Sequence, residues 1–150
     1  MSKFLYEKSI SYQGYLIIPF IFGRANGQFI YSYVLLSELG YKDRFHKAKN
    51  PAKLYSSTLS NIFDIAKKHL DNISTAVTKI DYFKSRYTYQ KNLIIVHFER
   101  NKCFYDHYPP NELRNIAAPK LFPTVNDCIF WVKQGLDRQK RGQYSSGYGT

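Results

Sequence analysis

Residues 11–18 read SYQGYLII and residues 88–95 read TYQKNLII. A chain that writes one strand twice is held to a fold of two like units, and the likeness continues in order. Tyr12-Gln13 matches Tyr89-Gln90, and Leu16-Ile17-Ile18 matches Leu93-Ile94-Ile95, at an offset of 77. Phe29-Ile30-Tyr31 then aligns with Cys103-Phe104-Tyr105, and Lys53-Leu54-Tyr55 with Lys120-Leu121-Phe122. Finally TLSNIFDIAKKHLD at 58–71 meets TVNDCIFWVKQGLD at 124–137, sharing the opening Thr, Lys67 and Lys133, and the closing Leu-Asp. An ordered series broken only by changes in loop length marks an internal duplication.

Each copy has one grammar. A β-branched and aromatic run (Ser9 to Phe22, Arg86 to Phe98) leads through a turn, Gly23 to Gly27 or Glu99 to Asn101, into a second run, predicting a hairpin. A short third strand is expected near Ala52–Tyr55 and Pro119–Phe122. The copy closes in a helix, because Leu59, Ile62, Phe63, Ala66 and Leu70 recur at helical spacing, as do Val125, Cys128, Ile129, Val132 and Leu136. Ser57 or Thr58 caps the first helix and Thr124 the second. The expected fold class is therefore α+β: two β-β-β-α repeats forming an antiparallel sheet, with two helices packed on one face. The first repeat is placed at residues 1–75 and the second at 76–137, sharing one core. Residues 138–150, RQKRGQYSSGYGT, have no apolar period and predict a disordered basic tail.

The strand Tyr12-Gln13-Gly14-Tyr15-Leu16-Ile17-Ile18-Pro19, with the hairpin and the helix ending in Leu70-Asp71, resembles small bacterial β-β-β-α domains that open on a Y-x-G-Y-x-I-x-P strand. That resemblance covers the first copy, since Gly14, Tyr15 and Pro19 become Lys91, Asn92 and Val96 in the second; it implies the fold and supplies no active site. The duplicated sheet-plus-helix plan is also similar in architecture to PUR-repeat and Whirly-type single-strand-binding proteins, without any of their sequence motifs.

Duplication supplies a control for every candidate site. His97, Cys103, His107 and Cys128 have Phe20, Phe29, Tyr33 and Ile62 as their aligned partners, all apolar or aromatic, and their spacing matches no standard zinc site. No metal or other cofactor is expected. Asp106 beside His107 has the residue types of acid–base chemistry, yet neighbours on a strand point to opposite faces, so one cannot orient the other. The sequence carries no G-x-S-x-G, no phosphate-cradling glycine loop before a helix and no H-E-x-x-H. No catalytic residues are assigned, and the chain reads as a non-enzyme.

Charge and aromatics point to partners instead. Lys and Arg outnumber Asp and Glu by 22 to 11, and the excess of +11 divides almost evenly between the two halves. Such an excess concentrates polyanions, so DNA or RNA is the first partner to weigh, with phosphate contacts and little sequence specificity. The candidate contacts are Arg24, Arg100 and Lys102 in the turns, Lys42, Arg44, Lys47, Lys49 and Lys53 in one dense run, and Arg138, Lys140 and Arg141 near the end. A charge run is equally a solvated loop. In YLIIPFIF and NLIIVHF both alternating sets are apolar, which leaves a sheet face in need of a cover. Stacked bases on Tyr15, Tyr31, Tyr33, Tyr105 and Trp131, or a second subunit in a homodimer or adaptor complex, are the two covers the sequence suggests. No stretch predicts a membrane span, and two cysteines suit a reducing cytoplasm better than a disulfide framework.

Overall fold

A computed structural model describes residues 4–37, 55–73 and 82–149, without the side chains of residue 73 and residues 141–149. Among the described residues six strands form two antiparallel three-stranded sheets, β1(Ile10–Tyr12), β2(Tyr15–Ala25), β3(Gln28–Ser37) and β4(Arg86–Tyr89), β5(Asn92–Glu99), β6(Lys102–Tyr108). Helix α1(Leu59–Ile73) follows the first sheet and α2(Val125–Gly149) the second. The β-β-β-α order thus occurs twice.

The strands divide where the backbone can reverse most tightly. All four hairpins turn on two residues with positive φ: Gln13-Gly14, Asn26-Gly27, Gln90-Lys91 and Arg100-Asn101. Two successive positive φ angles give the turn whose twist matches that of the flanking strands. The run from Ser9 to Phe22, expected as one strand, is therefore folded at Gln13-Gly14 into β1 and β2, and the run from Arg86 to Phe98 at Gln90-Lys91. Before α2 the expected strand at 119–122 shrinks to one bridge, Cys103 with Phe122, and before α1 a matching bridge joins Tyr31 with Ser56; in both the N–H groups and carbonyls are exchanged in both directions. Thr58 and Thr124 cap the helices, each Oγ1 accepting from the backbone N–H three residues on, at 3.2 and 3.1 Å.

The paired registers revise the sequence alignment. Leu16 lies opposite Leu36 and Leu93 opposite Tyr108, so β3 and β6 correspond at an offset of 72, not 74. Tyr105 is the counterpart of Tyr33 rather than Tyr31, and His107 that of Leu35. The first hairpin is longer and carries a bulge at Phe22, and matching by residue type alone does not register such an insertion.

Two sheets, not one, answer the question of the apolar faces. Leu16, Ile18, Phe20, Val34 and Leu36 from the first sheet pack with Leu93, Ile95 and Tyr108 from the second in a single cluster. On the outer face of the first sheet Ile17, Tyr33 and Leu35 meet Ile62, Ala66 and Leu70 of α1. On the outer face of the second, Ile94, Val96 and Tyr105 meet Cys128, Val132 and Leu136 of α2. The layers run helix, sheet, sheet, helix, so the helices lie on opposite outsides instead of sharing a face. The physical reason is burial: each central strand is apolar on both sides, and stacking the copies covers both without a second chain. The inner face is accordingly closed to stacked bases and to a homodimer or adaptor contact.

Helix α2 runs on through residues 138–149, the segment whose composition predicted disorder. Its continuation begins with Arg138, Gln139, Lys140 and Arg141, all good helix formers. The expected third strand at 52–54 lies outside the described residues.

Candidate functional site

The residues that made the repeat visible turn out to fasten each hairpin to its helix. Tyr12 Oη donates to Asp71 Oδ1 at 2.7 Å and Gln13 Nε2 to the same oxygen at 2.6 Å. Tyr89 and Gln90 repeat both bonds to Asp137 at 2.7 and 2.6 Å. Lys67 lies 5.5 Å over the Tyr12 ring and Lys133 5.2 Å over that of Tyr89. The carboxylate acceptor raises the pKa of each tyrosine above its ordinary value. Tyr-Gln, Lys and Leu-Asp are a structural lock, present in both copies.

What differs between the copies is a better guide to function. The end of the first hairpin is aromatic and exposed: Phe22 is 59 % accessible, Tyr55 45 % and Phe29 40 %. Phe22 and Tyr55 rings meet at 4.5 Å, and the Arg24 guanidinium lies 4.6 Å over Phe29, which contacts Tyr31 at 6.4 Å. Register explains the grouping, since Arg24 pairs with Phe29 and Ile21 with Tyr31, and cross-strand partners project to one face. That face is the one α1 covers further along the sheet. In the second copy the hairpin end is shorter and carries exposed Arg100 and Lys102 with Phe98.

The other candidates are dispersed. Arg138 and Lys140 are exposed on α2, and nothing is described of the Arg141 side chain. Lys42, Arg44, Lys47, Lys49 and Lys53 lie outside the described residues. The described members of this candidate set therefore stand at three places in the fold, the two hairpin ends and α2. Tyr33 and Tyr105 are buried beneath α1 and α2 and cannot offer stacking faces. Tyr15 and Tyr31 are half-buried against the α1 layer and Trp131 against the α2 layer, where Trp131 packs edge-on to Tyr105. The signal for the exposed platform was present in the sequence as Phe22, Phe29 and Tyr55 near Arg24, but their exposure depended on where the strands turn.

The second copy holds buried polar groups where the first has apolar ones. His97 Nε2 lies 2.8 Å from Asp106 Oδ2, and Tyr82 stacks on the imidazole at 4.3 Å. Asn115 Nδ2 donates to Asp106 Oδ1 at 2.9 Å. On the opposite face of β6, as strand alternation requires, His107 Nε2 lies 2.9 Å from Asn92 Oδ1. Asn92 Nδ2 donates to the carbonyls of Tyr89 and Gln90, so Oδ1 is the side facing the ring and His107 Nε2 is the donor. Burial lowers the His107 pKa and keeps the ring neutral. His107 lies in a groove bordered by α2 and the segment after β6, made of two adjoining hollows of about 540 and 200 Å3. Among the described residues, no group of three or more His, Cys, Asp or Glu side chains is placed to hold a metal ion. No helix among them is long and apolar enough to cross a membrane.

Comparison with protein-family models, with curated proteins and with solved structures finds no match to this chain.

Proposed function

We propose that the protein is a non-enzymatic nucleic-acid-binding factor that holds unpaired bases on the aromatic end of its first hairpin. The observation that carries this reading is the exposed set Phe22, Phe29 and Tyr55 with Arg24 over the Phe29 ring. Aromatic faces interleaved with cations suit single strands, whose bases offer π-faces irrespective of sequence. The net charge of +11 adds phosphate attraction. In sequence, Lys53 stands two residues before Tyr55, so the dense basic run ends close along the chain to a residue of the platform. The competing adaptor reading used the inner sheet face, which the sister repeat fills.

The test is fluorescence-anisotropy titration of labelled single-stranded DNA, RNA and duplex DNA over a salt series. Single strands should bind more tightly than duplex, with a log–log salt slope of about 0.7 for each phosphate neutralised. Phe22→Ala and Phe29→Ala should each weaken binding about tenfold, since a stacked base contributes about 1–3 kcal/mol and 1.4 kcal/mol is tenfold. Equal binding of all three polymers, unchanged by these variants, would refute the reading.

A further inference from the structure

We infer that the groove beside α2 is a binding site for a small anion with a flat apolar ring, the chemistry of a nucleoside monophosphate. It lies apart from the hairpin platform and does not depend on that surface binding a strand.

Three replacements between the copies make the groove. Where the second repeat has Asn92, His107 and Gly135, the first has Tyr15, Leu35 and His69 at the corresponding positions. A bulky phenol, an aliphatic chain and an imidazole are thus exchanged for smaller or hydrogen-bonding groups, all at one place. A side chain built on Gly135 would meet nothing within 4 Å, so that position is open space on the groove wall. Fold economy alone gives no reason for this, because a buried histidine and asparagine cost free energy that Leu35 and Tyr15 do not.

The chemistry of the lining sets the class of ligand. One wall is apolar, from Pro109, Ile116 and Leu136, and suits a ring. At the floor the neutral His107 donates through Nε2 to Asn92, which leaves Nδ1 as the lone-pair nitrogen, an acceptor for a ring N–H or amino group. Lys91 and Lys140 line the larger hollow, and among the described residues no carboxylate lines either hollow. From Trp131 to Lys140 the helix side of the groove rises about 13 Å, enough to hold a ring and an anion well apart. The two hollows together fall within the range of about 300–1,000 Å3 usual for small-molecule sites.

Isothermal titration calorimetry of the full chain with AMP, GMP, CMP and UMP tests this, with the nucleosides and inorganic phosphate as controls. At least one nucleotide should bind more tightly than its nucleoside or phosphate alone. Gly135→Leu should weaken it tenfold or more while the melting temperature holds or rises, because leucine is the better helix former at an open position. His107→Leu, which restores the residue of the first repeat, should weaken it likewise. Phe29→Ala should leave nucleotide binding intact, and Gly135→Leu should leave binding of a labelled strand intact; these two arms separate failure of the groove from failure of the hairpin. Absence of heat with all four nucleotides at millimolar concentration would overturn the inference. So would nucleotide binding that survives Gly135→Leu or disappears with Phe29→Ala.

Discussion

Arg86 Nη2 donates a 3.2 Å hydrogen bond to the carbonyl of Ser9, the residue that holds the position of Arg86 in the other repeat. Ser9 directly precedes β1 and Arg86 begins β4, so this bond ties the two copies together where the strands of each begin. Arg86 also donates to the Phe83 carbonyl at 2.9 Å, and Phe83 is fully buried in the inter-sheet core. Around it the N-terminal segment crosses between repeats, with Leu5 N–H on the Pro19 carbonyl and Tyr6 Oη on that of Pro109. The repeats share one core and should unfold together.

Arg86→Ala should therefore lower stability by about 1–3 kcal/mol, the range for a charged donor that leaves buried carbonyls unpaired. In urea, the fluorescence of Trp131, the only tryptophan, and far-UV circular dichroism should shift together with one transition and an unchanged slope. Two separate transitions would show that the repeats are independent domains.

The corresponding tyrosines of β3 and β6 should respond to the same substitution with opposite sign. Tyr105 Oη accepts from the Ala118 N–H at 2.9 Å, whereas Tyr33 Oη is the single buried side-chain polar atom without a partner among the described residues. Tyr33→Phe removes an unsatisfied hydroxyl and should raise stability by about 1 kcal/mol; Tyr105→Phe strands the Ala118 donor and should lower it by about the same amount. Denaturant midpoints of the two variants check this directly.

Much of this fold was legible in the chain. The duplicated Tyr-Gln and Leu-Asp pairs gave the repeat, and the helical stripes ending at Leu70 and Leu136 gave two helices of the right face. The two-sided apolar strands correctly signalled a covered inner face. What covers it was not legible, because Leu16 and Ile18 specify burial and not the identity of the neighbour. The hairpin turns were partly hidden, since Gln90-Lys91 and Arg100-Asn101 adopt positive φ without glycine. As for the site, Arg24 was visible as a candidate, but its stacking on Phe29 follows from a cross-strand register that a bulge at Phe22 sets. Asp106 and His107 were adjacent in sequence, and their actual partners, His97 and Asn92, come from the neighbouring strand.

The cysteines should be inert in the folded protein. Cys103 and Cys128 are both free and buried between the second sheet and α2, and burial, with Cys103 nearby, pushes the Cys128 thiol up to about 11. Reaction requires thiolate and access; access is withheld from both residues, and thiolate from Cys128. At pH 8 a thiol reagent should label neither residue on the time scale on which it labels the urea-unfolded chain. Rapid native labelling would mean that α2 lifts from its sheet.

Stability should fall as the solution is acidified from about pH 6.5, and His107 should account for a definable part of the fall. Its pKa is held below the unfolded value of about 6.5 by burial, so in that window the unfolded chain binds the proton that the folded chain refuses. The stability that the neutral ring contributes is present above pH 6.5 and is lost as the pH descends toward the folded pKa, where the loss levels off. His107→Leu removes this proton from the balance while leaving the His97–Asp106 pair on the other face of β6 in place. The difference in urea midpoint between the two proteins, followed from pH 8 to pH 5, should therefore move in favour of the leucine variant as acid is added. A difference that stays constant with pH would mean that His107 takes up its proton without resistance from the fold, and burial would then not be what holds the ring neutral.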